Sequence, residues 1–279
     1  QGLAVLLALN VLAALDPAAL GAPLSPQRLH LQVEALRLAF ADVHAWVADP
    51  AAAPAPLAEL LSPEYARERA ALVRADRALP AARTGMPRPA PGTVQFVAVD
   101  GEGNACSMVN SNYMGFGTGI VPDGLGFSLQ NRGCNFSLDP AHPNCLAPGR
   151  RPYHTIIPGL ALRPDGSLYA AFGVMGAFMQ PQGQVQVLSA LLDDGMDPQS
   201  ALDLPRFCLE AAGGGTLALE SHLPAGPDRA LADLGHRVRR AGPEEAALFG
   251  RGQVVVRGAD GVLCGGSDPR ADGCALGLG

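Results

Sequence analysis

The chain contains no lysine, so every one of its 20 basic side chains is an arginine. Schiff-base catalysis and a P-loop both require an ammonium group, and neither can be built from these 279 residues. Runs of basic residues are also missing and the formal net charge is −6, which removes nucleic acid as a partner because phosphate binding needs clustered cations. None of the six cysteines (Cys106, Cys134, Cys145, Cys208, Cys264 and Cys274) forms a C-x-x-C pair, and their spacings match no zinc pattern. They read as free thiols, mostly buried, because a domain of this size needs no disulfide staples. The six histidines form no H-E-x-x-H and no other helical metal pair, so neither a metal nor a cofactor is called for. A G-x-S-x-G elbow is absent, which leaves an α/β-hydrolase serine without its turn. No stretch reaches the roughly 18 uninterrupted apolar residues of a membrane helix. The first apolar run is broken by Asn10 and Asp16 and reads as a buried core helix.

What the chain does have is apolar residues and turns. A hydrophobic content of 48% supplies a core, while 34 glycines and 25 prolines imply many turns between short elements, more compatible with a strand-rich second half than with a helical bundle. Apolar spacing predicts helices over 2–15 and 26–48, with Ser25 as N-cap and Pro26 as first helical residue of the second. Pro50 to Pro56 is a breaker-rich loop, and Ser62-Pro63 opens a further short helix that ends before a connector at Pro80 to Gly92. Strands follow from Thr93, with hairpin turns at Asp100 to Asn104 and around Arg163 to Ser167. A helix is predicted at Gln182 to Asp194, with Val185, Leu188, Leu191 and Leu192 on one face, and another short one after Asp197-Pro198. Beyond Ala218 the pattern alternates strand, helix and two strands.

The stretch from Gly92 to Gly119, GTVQFVAVDGEGNACSMVNSNYMGFGTG, concentrates the chemical information. Thr93 stands where a proline- and glycine-rich connector becomes a strand read as largely buried through Val94, Phe96 and Ala98, then Val97 and Val99. A threonine hydroxyl is inert near neutral pH unless a base takes its proton, and a cut just before Thr93 would supply that base as the freed α-amine. By itself a Gly-Thr pair before a strand is also an ordinary strand start.

The surrounding chain resembles the γ-glutamyltranspeptidase family, whose small subunit begins with its nucleophilic threonine. The resemblance runs in the family's order through DGEGNA (Asp100 to Ala105), GFGTGIV (Gly115 to Val121), QNRGCNFSLDP (Gln130 to Pro140) and HPNCLAPGRRPYHTIIP (His142 to Pro158). It continues in GVMGAFMQPQGQVQVL (Gly173 to Leu188) and GSDPRADG (Gly266 to Gly273). Upstream, QGLAVLLALNVL (from Gln1), RLHLQVEALRLAFAD (Arg28 to Asp42) and ELLSPEYA (Glu59 to Ala66) resemble the end of the large subunit. The likeness is strongest to the branch that includes oxamate amidohydrolase. It implies an α+β fold, the αββα sandwich of N-terminal-nucleophile hydrolases, present in part because the chain reads as a fragment lacking most of the large subunit. Residues 1–92 would be the end of that subunit with its processing linker, and residues 93–279 the small subunit. The expected assembly is a heterodimer of cleaved halves, open to further dimerisation. The compartment stays open, with the cytoplasm set ahead of the periplasm.

By resemblance, Thr93 is the agent of cleavage after Gly92 and then the nucleophile. Ser111 falls where the family has a second threonine that hydrogen-bonds it. Gly176 and Ala177 match paired glycines whose N–H groups form the oxyanion hole, a role alanine keeps only if its φ is one it tolerates. In the substrate pocket Arg132 and Asn135 replace the glutamine and aspartate that hold a glutamyl α-amine, while His154 and Thr155 stand for a pair of carboxylate-binding serines. Tyr113 occupies an asparagine position beside Asn112. A cation in place of an anion disfavours an α-amino group and favours an acidic one through a charge-assisted pair. The implied function is hydrolysis of a small carboxylate-bearing amide of the oxamate kind through an acyl-enzyme. Glutathione hydrolysis with γ-glutamyl transfer is the alternative enzyme, and a catalytically silent binding or structural paralogue is the alternative of another class.

Overall fold

The structure is a computed structural model that describes residues 1–16, 20–79, 91–211 and 215–278, of residues 91 and 92 the backbone only. Most of the expected Pro80 to Gly92 connector lies outside the described residues. Two long helices come first, α1 (Gly2–Ala13) and α2 (Pro26–Trp46). The second starts as its sequence dictates: Ser25 Oγ accepts from the Arg28 N–H at 3.1 Å and Pro26 fills the first turn, where its missing donor costs nothing. Two short helices follow, α3 (Leu57–Leu60) and α4 (Pro63–Ala70), the latter capped by Ser62.

Strands β1 (Pro91–Val99) and β2 (Ala105–Met114) form an antiparallel hairpin. Its turn is tied by Asp100 Oδ1, which accepts from the Glu102 and Asn104 N–H groups. Strands β3 (Gly159–Leu162) and β4 (Leu168–Met175) join β8 (Arg251–Arg257) and β9 (Leu263–Ser267) in an antiparallel sheet of order β3-β4-β8-β9. Helices α5 (Met179–Leu192) and α6 (Pro198–Asp203) follow β4. The remaining strands β5 (Phe207–Leu209), β6 (Thr216–Leu219) and β7 (Arg237–Arg240) make a small sheet, in which β6 and β7 run parallel through the crossover helix α7 (Pro227–Asp233).

The layers stack closely because two glycines let them. The hairpin lies on the four-stranded sheet with Gln95 over Gly173, where an added Cβ would fall 2.2 Å from Gln95 Oε1, and Ser107 Oγ donates to Phe172 O at 2.8 Å. On the sheet's other face α5 presents Gly183 to Val174, again too close for a side chain, at 2.6 Å from Val174 Cγ1. Leu7, Val11, Leu36, Phe40, Val174, Val185 and Leu188 belong to one core that joins α1 and α2 to α5 and the sheet. Helix layer, sheet and hairpin are thus the layers of the expected α+β sandwich.

Four expectations are corrected. In β1 it is Thr93 and Gln95 that are buried, whereas Val94 (62% exposed), Phe96 (45%) and Ala98 lie outward with Met108, on a face left bare among the described residues. Helix α5 begins at Met179, ahead of Gln182, because Pro181 sits in the first turn where proline is tolerated. Its Leu192 is exposed beyond the buried Val185, Leu188 and Leu191, since consecutive helical residues point about 100° apart. The cysteines are free, yet only Cys208 is buried.

The GSDPR segment builds a latch. Asp268 receives Arg206 Nη2 at 2.8 Å and Arg270 Nη1 at 3.0 Å, and Arg270 also pairs with Glu220 at 2.6 Å. Burial by itself would raise the Asp268 pKa, but the two guanidinium groups and the Gly252 and Arg270 N–H groups outweigh it and hold the carboxyl below its usual range.

Candidate active site

The hairpin register sets Thr93 opposite Ser111, and their hydroxyl oxygens are 2.8 Å apart. Ser111 Oγ also accepts from the Tyr113 N–H at 2.9 Å, which leaves its own proton free for Thr93 Oγ1. Thr93 is 6% exposed, in a polar row that continues inward with Gln95 and Ser107. The residue expected to be a nucleophile thus sits at the buried start of a strand, its hydroxyl hydrogen-bonded to that of Ser111.

Beside this pair lies Arg132, in the 3-10 turn Arg132–Asn135. Its side chain is held on every side: Nε donates to Thr155 Oγ1 at 2.9 Å, Nη1 to Gln130 Oε1 at 3.2 Å and Nη2 to Ser111 O at 3.3 Å. The guanidinium also lies over the Tyr113 ring, 5.6 Å from its centroid, a cation–π contact. Arg132 is 5% exposed and has no carboxylate partner among the described residues, and burial lowers its pKa. A buried cation without a counter-ion is costly, and three of its five N–H donors are committed, so two remain to face an anion.

The other expected pocket residues divide by role. Tyr113 adopts φ +77°, an unusual conformation for a side-chain-bearing residue, and its hydroxyl donates to Asn135 Oδ1 at 3.0 Å. Burial pushes that phenol up to about 12, Cys134 adding to the effect, so Tyr113 stays a neutral donor. Asn135 in turn donates to Tyr153 O. Thr155, 1% exposed, spends its oxygen on Arg132. Asn112 donates to Ser128 Oγ at 2.9 Å and thereby anchors the loop after β2. His154 is exposed, its Nδ1 accepts from the Ile156 N–H, and partial burial followed by the Arg132 charge lowers its pKa, so the ring is neutral.

Gly176 (φ +139°) and Ala177 (φ +54°) form the turn between β4 and α5. Neither N–H has an acceptor among the described residues, as an oxyanion hole requires. Gln1 joins the site without any sequence motif to mark it. It is 6% exposed, and in the amide orientation that matches donors to acceptors its nitrogen lies 2.7 Å from Thr155 O and 3.1 Å from Ala177 O. An amide heading an apolar run carries no motif, so only tertiary structure could reveal it. Of the cleavage pair, Gly92 is described only as part of β1.

One buried cluster has metal-ligand composition: His30 and Glu34, one turn apart on α2, with His236, their ligand atoms within 4.8 Å of one another. No H-E-x-x-H spacing marks it in the sequence, since the second histidine comes from a distant segment. Its members are satisfied by one another and by protein. His30 Nε2 donates to Arg74 O and its Nδ1 accepts from His236 Nε2, both at 2.7 Å, the tautomers following from the network. Glu34 is taken by Arg37 Nη1 and the Leu79 N–H.

A threonine and a serine thus face each other on a hairpin stacked on a sheet, and the end of that sheet carries two N–H groups with no acceptor among the described residues, an arrangement set in the layered fold expected of N-terminal-nucleophile proteins. The γ-glutamyltranspeptidase family model matches residues 1–278, and the chain belongs to that family. It is 36% identical to a glutathione hydrolase-like proenzyme of Bacillus subtilis over 100% of this chain and 52% of the relative. It is 35% identical to the oxamate amidohydrolase proenzyme of Klebsiella pneumoniae over 90% of this chain and 47% of the relative. Among solved structures, the cephalosporin acylase of Bacillus halodurans superposes with a TM-score of 0.87 at 41% identity, over 100% of this chain and 49% of that one. The chain spans about half the length of the relatives it matches.

Proposed function

We propose that this chain is part of a self-cleaving threonine amidohydrolase that hydrolyses a small amide bearing a carboxylate next to the scissile carbonyl, as in oxamate. The observation that carries the reading is Arg132: a buried guanidinium with no acidic partner among the described residues, bonded to the backbone of the same Ser111 whose hydroxyl touches Thr93. An anion gripped there lies close to the nucleophile, which suits a short acid. Thr93 Oγ1 would first attack the Gly92 carbonyl, and hydrolysis of the resulting ester would divide the chain into residues 1–92 and 93–279. The α-amine so freed, with an ordinary pKa of about 7.7 to 8.0, accepts the Thr93 hydroxyl proton. Attack on the substrate amide then gives a tetrahedral oxyanion facing the Gly176 and Ala177 N–H groups. As it collapses, the amide nitrogen takes the proton from the α-ammonium and leaves as ammonia, and water, deprotonated by the regenerated amine, then hydrolyses the acyl ester to release the acid. Large-subunit residues beyond this chain would complete the pocket.

Glutathione hydrolysis is the second reading, favoured by the similarity to the glutathione hydrolase-like relative. Against it stands the charge of Arg132, which would repel a glutamyl ammonium. Full-length processed protein should release ammonia from oxamate, and release of glutamate from glutathione without activity on oxamate would reverse the ranking. Arg132→Gln should lower kcat/KM on oxamate roughly 10- to 100-fold, the loss of one charge-assisted pair. Thr93→Ala should stay one uncut chain by mass spectrometry, and normal cleavage in that variant would remove Thr93 from the mechanism.

A further inference from the structure

We propose that Gln1 is a positioning residue that couples the carboxylate grip to the oxyanion turn. The inference rests on the reading of Arg132 given above and adds a residue that touches neither the nucleophile nor the guanidinium. Both amide hydrogens of Gln1 are used, one on Thr155 O at 2.7 Å and one on Ala177 O at 3.1 Å. Among the described residues it is the one side chain bonded to both segments.

Each segment needs such a tether. Thr155 belongs to an irregular strap between Arg151 and Pro158, and its hydroxyl aligns Arg132 through Nε, so a shift of the strap moves the guanidinium. Farther along, the strap is fixed to α5 by Gln180 and Gln184 at Ile157, but neither of those side chains bonds to Thr155 or Ala177. Ala177 is an L-residue in the left-handed region, a conformation costing about 1 kcal/mol or more that persists only where its surroundings hold it. Its carbonyl accepts from Gln180 N at 3.2 Å within the chain's own turn, and Gln1 is the long-range bond that fixes the peptide plane carrying that carbonyl. Because the tether is an uncharged amide, it neither competes with the substrate anion for Arg132 nor changes with pH.

The test uses full-length, self-processed protein with two probes: oxamate, which engages both arms, and p-nitrophenyl acetate, a neutral activated ester that reports the oxyanion turn alone. Gln1→Met, close in shape but without donors, should slow acylation by the ester roughly 10-fold or more, a part of what a lost oxyanion donor costs. On oxamate it should lower kcat by a similar factor and raise KM several-fold. In an Arg132→Gln background the KM effect should vanish while the kcat effect persists, which a merely structural role would not produce. Gln1→Asn keeps an amide one methylene shorter, able to reach one carbonyl, and should fall between; it serves as the readout if the methionine variant fails to fold. Kinetics within twofold of wild type on both probes, in a folded variant, would overturn the inference. Loss of ester acylation with wild-type protein inert toward oxamate would sink the substrate reading and leave the tether to the oxyanion turn standing.

Discussion

Ala177 shows how finely the site is balanced at the scale of one residue. Its φ of +54° costs about 1 kcal/mol, and its buried methyl returns about 0.8 kcal/mol. Ala177→Gly should therefore leave the melting temperature within a few degrees and keep activity, because the donor is backbone. Ala177→Val should lose activity at least about 10-fold, since a β-branched side chain cannot hold that conformation and the turn must shift. Unchanged kcat in the valine variant, with Thr93 still exposed by cleavage, would place this N–H outside the oxyanion hole. The strain was foreseeable from sequence because an alanine stood in a glycine position. The contacts of Thr155 and Asn135 were not: both were expected to bind substrate, and in the structure their side chains meet Arg132 and Tyr113. Side-chain type tells what a residue can bond, and packing alone decides what it does bond.

Elements were most legible where local chemistry governs them. Ser25-Pro26 and Ser62-Pro63 start helices as capping requires, and the turns at Asp100 to Asn104 and Arg163 to Ser167 close hairpins. Strand β1 was misread because alternation reports two faces without saying which one is covered, and here the polar face meets the sheet. Helix α2 hides a further consequence, since its His30 receives His236 from the segment before β7, with Glu34, Arg37 and Arg74 O as the other groups around the pair. Burial, then the electrostatic influence of His30 and Arg37, depresses the His236 pKa to about 4, so the fold holds the ring neutral. Above the unfolded value of about 6.5 both states are neutral and no pH dependence arises. Between about 6.5 and 4 the unfolded chain takes a proton the fold refuses, so stability falls, by about 2 kcal/mol at pH 5; below 4 the loss levels off. Denaturant midpoints at pH 7.5 and pH 5 should show that drop, and His236→Gln should shrink it. An equal drop in the variant would assign the acid sensitivity elsewhere.

At the scale of the whole molecule, the proposed cut before Thr93 falls between parts that share one core. Leu7, Val11, Leu36 and Phe40 from the helical segment and Phe172, Val185, Leu188 and Leu202 from the strand-rich segment are each at most 7% exposed and belong to a single cluster. Polar ties cross the same divide: Arg28 pairs with Asp194 at 3.2 Å, Arg151 with Asp49 at 2.9 Å, and Gln1 bridges to Thr155 and Ala177. An interface that resembles a domain core cut in two is of the obligate, apolar kind. Cleavage would therefore free the Thr93 amine without freeing the segments, which is what catalysis by a new terminus demands, since the proposed oxyanion turn is bonded to Gln1 from the other side of the cut. Processed protein should co-elute as one species on size exclusion down to roughly nanomolar concentration, as strongly apolar obligate interfaces do. It should separate into two chains only in denaturant, with the loss of activity following the loss of that association. Separation of the cleaved segments in native buffer, with activity retained in the Thr93 segment alone, would show that the shared core and the Gln1 tether are dispensable after maturation.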